Sequence, residues 1–152
     1  MSRMCLASGD DHPDAASKHL ADAQALQSAG RADGSAYLAG YVVECALKAI
    51  LLHEQGMPPA GQKPAWKAGR SGHEIGELQK EIATLAVLAG AKIARYVGPA
   101  IGALPAAQIA AWNPMMRYQS PSMTITDASA WVGEAHSVHE ETIGQMVKDG
   151  VL

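Results

Sequence analysis

The chain has 152 residues, enough for one ordinary domain with a real core and too few for two comfortable ones. Hydrophobic residues make up 48% and charged residues 18%, which argues against disorder, and the formal net charge of -3 gives no global electrostatic case for duplex nucleic acid. Two cysteines, Cys5 and Cys45, are too few and too differently placed for a disulfide framework or a zinc site, so neither a metal nor a cofactor is expected.

Residues 1–13 have no sustained periodicity and read as an N-terminal lead-in, with a single helical domain over 14–152. The start MSRMCLAS runs into Asp10, Asp11 and Asp14 before any secretory apolar region develops. No run reads as the about 18 apolar residues needed to span a bilayer, so a cytoplasmic protein is expected. Asp14 to Gly30 predicts a first helix with Ala16, Leu20, Ala23 and Leu26 as its stripe. The short turn through Arg31 favours an antiparallel hairpin with the next element.

That next element, Asp33 to Gln55, is apolar around most of its circumference and predicts the central helix. At 100° per residue Ala36, Ala39, Val43, Ala46, Leu47 and Ile50 share one broad side. Tyr37, Tyr41, Glu44 and Lys48 gather in a narrow polar stripe on another. Beyond Gly56 the segment MPPAGQKPAWKAGRSG reads as a long loop. It is the most basic stretch, with Lys63, Lys67 and Arg70 around Trp66, and is either a phosphate- and base-binding segment or an ordinary loop whose tryptophan packs back.

His73 to Ala89 predicts a third helix through Ile75, Leu78, Ile82 and Leu85. Lys92 to Val97 reads as a further turn, Gly98-Pro99 as a break, and Leu104 to Trp112 as another short helix that Pro105 would start. After the irregular WNPMMRYQSPS comes a last helix from Thr126 to about Lys148, with Thr124, Thr126 or Asp127 to cap it. No stretch carries a strand pattern, a phosphate loop or a repeat, so the fold class is all-α, an antiparallel up-and-down bundle.

The run AASKHLADAQALQSAGRADGSAYLAGYVVECALKAILL, followed after a loop by GHEIGEL and later by Arg117-Tyr118 before the final helix, resembles the HEPN (higher eukaryotes and prokaryotes nucleotide-binding) superfamily. The match is similar to the small bacterial members associated with minimal nucleotidyltransferases. The resemblance implies a bundle that forms a homodimer and presents a cleft to nucleotide or RNA, within a two-component system of toxin–antitoxin type. Many HEPN proteins are metal-independent ribonucleases with an arginine, four to six residues and a histidine; no such spacing exists here. The expected function is therefore a non-catalytic nucleotide-, RNA- or partner-binding module, and the alternative is a diverged ribonuclease that pairs Arg117 with His73 or His139.

The ligand-binding candidates are Tyr37, Tyr41, Glu44, Lys48, Arg70, His73, Arg117 and His139. The tyrosines could stack a base while Glu44 and Lys48 position phosphate or ribose, or the same residues could be an i, i+4 helix pair and a structural or dimer surface. His73 offers an acid or base near neutral pH. Arg117 either holds its guanidinium over a cleft or braces the last loop against a carboxylate such as Glu44. His136, His139 and Glu140 form an HxxHE pattern, but two histidines without a nameable third ligand make no metal site. His139 also fits a core histidine bonded to a neighbour.

Overall fold

The computed structural model describes residues 2–68 and 73–152. Among these every regular element is helical and no strand occurs. Helix α1 (His12–Ser28) starts two residues before the expected Asp14, because the Asp11 carboxylate caps it by accepting the Asp14 N–H and Pro13 needs no donor partner in a first turn. The residues ahead of it are tied down: Met4 and Leu6 are core members, and Ser2 bonds to Asp11 through both its backbone N–H and its hydroxyl.

Helix α2 (Ala32–Gln55) is the axis of the fold. Ala36, Ala39, Val43, Ala46, Leu47 and Ile50 are all fully buried, as their angular position demands. The connection over 29–31 is short, so α1 and α2 run antiparallel along each other. Gly56, at φ 80°, ends α2 in a conformation that a side chain would strain. By length and composition α2 could cross a membrane, yet 83% of its most apolar window is buried inside the fold.

Helix α3 (Ile75–Ala86) packs on α2 through Ile75, Leu78 and Ile82, and is shorter than the His73–Ala89 span its pattern predicts. His73 stands outside it, in the turn before Glu74. Next comes an arc of short pieces: a 3-10 turn Lys92–Tyr96, the five-residue α4 (Pro99–Ala103), and 3-10 turns Leu104–Ala106, Gln108–Ala111 and Pro114–Tyr118. The single helix expected over Leu104–Trp112 does not form, and Pro99 begins a helix where a break was expected. Ile101, Leu104, Ile109 and Trp112 are all buried, and the extended backbone at Ala107 (φ -74°, ψ 152°) divides the span into separate turns.

Carboxylates from the long helices satisfy the arc's backbone donors. Glu54 accepts from Ile93 N, Glu141 from Ala100 N, and Glu134 from both Gln108 N and Ile109 N. Helix α5 (Ile125–His139) is capped by Thr124, whose hydroxyl accepts the Asp127 N–H, and it packs against α1 and α2. It continues through a π-helical turn, Glu140–Gly144, into α6 (Gln145–Lys148), so the expected last helix is one rod with a widened turn.

Candidate functional site

Glu44 lies midway along α2, and Lys48 sits one turn further on the same face. Both side chains are 4% exposed, and Lys48 Nζ donates to Glu44 Oε1. His73 reaches that oxygen from outside, with Nδ1 at 3.0 Å and its side chain 62% exposed. One carboxylate oxygen therefore serves a buried ammonium and a solvent-facing imidazole. Glu44 Oε2 is buried and has no hydrogen-bond partner among the described residues. Charges this buried are held by mutual attraction in a poorly solvated setting, and losing either leaves the other uncompensated.

Towards the start of α2 the same face becomes aromatic. The Tyr37 and Tyr41 hydroxyls are 3.1 Å apart, and both residues are half-buried. Burial, reinforced by the Tyr37 hydroxyl, pushes the Tyr41 phenol well above its usual value, so it stays protonated. Trp112 closes over them, with its ring centre 4.9 Å from that of Tyr41 in edge geometry, and donates its Nε1–H to the Tyr37 carbonyl at 2.9 Å. Gly40 makes this seat: a Cβ there would lie 2.1 Å from the indole. On the other flank, His19 of α1 lies against Tyr41 with ring centres 5.5 Å apart. Burial lowers the His19 pKa, with help from Lys18, while Asp22 and Glu44 oppose the shift. Cys45 is no nucleophile at neutral pH, because burial pushes its thiol up to about 12.

Arg117 lies at the aromatic end, on the turn Pro114–Tyr118. Its guanidinium is 4.8 Å from the centre of the exposed Tyr118 ring, and with Asp33 and Tyr37 it lines a hollow of about 190 Å³. It makes no ion pair with a carboxylate among the described residues, so the brace to Glu44 suggested by the sequence is not formed. Glu44 is already committed within its own helix. Asp33 holds the far wall by accepting the Ser122 and Met123 N–H groups, which lower its pKa.

Tyr37, Tyr41, Glu44, Lys48 and His73 thus form one continuous seam, with Arg117 at its end. His139 does not join it. It faces α1 from α5 and meets the Ser17 hydroxyl at 2.9 Å. Arg70 lies outside the described residues. Trp66 is 3% exposed and packs edge-on to His12 in the core, so it is not available to stack a base. Sequence reasoning missed His19 and Trp112 as walls of the seam. The readable signal was Gly40, a residue without a side chain between two tyrosines of a long helix, which implies a bulky neighbour. No family model, curated protein or solved structure matches this chain.

Proposed function

We propose that this chain is a HEPN-like helical module of antiparallel up-and-down topology that binds a nucleotide or short RNA along the α2 seam without cleaving it. The observation that carries the reading is the seam's charge arrangement. A buried ion pair opens to solvent through His73, and the Arg117 guanidinium, without a carboxylate partner among the described residues, stands beside Tyr37 and Tyr118 at the other end. In a chain of net charge -3, an anionic ligand needs such local cations, and Tyr118 and Arg117 offer a stacking face and a phosphate donor side by side.

The non-catalytic form is favoured because no arginine–histidine pair is assembled among the described residues. His73 is bonded to Glu44, His139 to Ser17, and Arg117 rests on Tyr118. The exposed Met115 and Tyr118 flanking Arg117 have the composition of an interface, which supports a homodimer or a nucleotidyltransferase partner docking beside the seam. Titration of wild type and Arg117→Ala with nucleotides and a short RNA tests the reading. The variant should bind measurably more weakly at unchanged helicity, because it loses a charged hydrogen bond to the ligand. Equal binding by both proteins would remove Arg117 from the site, and no binding by either would end the proposal.

A further inference from the structure

Away from the seam, α1 and α5 bring together a hydroxyl, an imidazole and a carboxylate from opposite parts of the chain. Ser17, in the second turn of α1, is exposed, and its Oγ lies 2.9 Å from His139 Nε2. The same hydroxyl has a second, longer acceptor in the Pro13 carbonyl at 3.3 Å. On the opposite side of the imidazole, Glu140 Oε1 lies 3.8 Å from Nδ1, too far for a hydrogen bond, and that buried nitrogen has no hydrogen-bond partner among the described residues. The His139 side chain is 12% exposed and that of Glu140 is 53% exposed.

These positions select one arrangement of the protons. A carboxylate facing Nδ1 favours the tautomer with its hydrogen there, because a bare lone pair would oppose the negative oxygen. Nε2 is then the acceptor, and the short contact is the Ser17 O–H donating to it. Burial lowers the pKa of His139, with Glu140 opposing and His136 assisting, so the ring is neutral and able to take a proton at pH 7. A hydroxyl bonded to a neutral imidazole, with a carboxylate facing the ring's other nitrogen, is the core of an activated nucleophile.

We propose that Ser17 is a nucleophilic serine with His139 as its base, and that it accepts acyl groups from activated esters. The ester must be an activated one because the site's contribution is the base, and the driving force lies in the leaving group. Ser17 Oγ forms a bond to the acyl carbon as its proton passes to His139 Nε2. The ester C–O bond then breaks, and the electron pair leaves with the departing phenolate. The imidazolium releases its proton to solvent, and the acyl group remains on Ser17. Water later attacks that ester, giving a proton to Nε2; departing Ser17 takes that proton back, and the acid released gives its own proton to solvent to become the carboxylate.

The test uses the full chain with p-nitrophenyl acetate, following p-nitrophenolate release and mapping the acetyl group by peptide mass spectrometry. Acetylation is expected on Ser17 and lost in Ser17→Ala, while His139→Gln should slow it about 100-fold or more, the usual size of general-base assistance. The neighbouring Lys18, 71% exposed, provides the competing outcome. Acetyl found on Lys18 or the N-terminus in place of Ser17, or an unchanged rate in His139→Gln, overturns the proposal. If His139→Gln does not fold, the wild-type pH profile still decides. The Ser17 rate constant should level off near or below pH 6.5, as a neutral imidazole requires, and a rate rising steadily to pH 9 would mean hydroxide attack without the histidine.

Discussion

Replacing Lys48 by methionine keeps an unbranched apolar stem of similar reach and removes only the ammonium. Glu44 is then left 4% exposed, with one oxygen lacking a hydrogen bond among the described residues and the other facing a histidine whose side chain is 62% in solvent. Breaking a buried pair by deleting one partner costs about 3–5 kcal/mol, a large part of the about 5–15 kcal/mol that holds a domain folded. Glu44→Gln combined with Lys48→Met removes both charges and should recover most of that loss, since two neutral side chains carry no comparable desolvation cost. Urea unfolding followed by tryptophan fluorescence measures both variants against wild type. A Lys48→Met loss under about 1 kcal/mol, the value of an exposed pair, would refute the burial argument.

Gly40→Ala should cost about 1–3 kcal/mol, because the new Cβ meets the indole at 2.1 Å and must displace it from the Tyr37 carbonyl; a red-shifted tryptophan emission would report the move, and an unshifted spectrum with wild-type stability would contradict it. Burial lowers the pKa values of His19, His53 and His139 in the folded protein, so folding favours their neutral forms; the urea midpoint should hold above pH 6.5 and fall as pH drops towards 5, and a flat midpoint would contradict this. Asp33 has its pKa lowered by the Ser122 and Met123 N–H groups, so those two amide resonances should titrate below the usual carboxylate range near 3.9 and lose that titration in Asp33→Asn.

The long helices were legible because their signals are periodic. The buried face of α2, the apolar stripe of α3 and the Thr124 cap all follow from spacing and from one side-chain oxygen at the right place. The arc over 92–118 was legible only in part: the turn from Lys92 and the irregular stretch after Trp112 were read, but the pieces between Pro99 and Ala111 were not. Its core residues arrive singly, on short turns whose direction is set by carboxylates such as Glu134 and Glu141 that lie far along the chain. The Glu44–Lys48 pair could be read from its spacing of four within one helix, but the contact from His73 depends on how the loop returns to α2. His139 illustrates the limit most clearly. Its place on an apolar face suggested a bonded core residue, yet its partner Ser17 is 122 positions away and carried no signal of its own.

The most direct test of the α2 seam as a ligand site is an amide and side-chain NMR map of the protein during titration with a mononucleotide and a short single-stranded RNA. The account predicts that shifts concentrate on Tyr37, Tyr41, Glu44, Lys48, His73 and Arg117, with the His73 ring and the Arg117 guanidinium moving most. Shifts confined to other surfaces, such as the groove of about 540 Å³ between Pro99–Ala107 and α5, or no shifts at millimolar ligand, would contradict it.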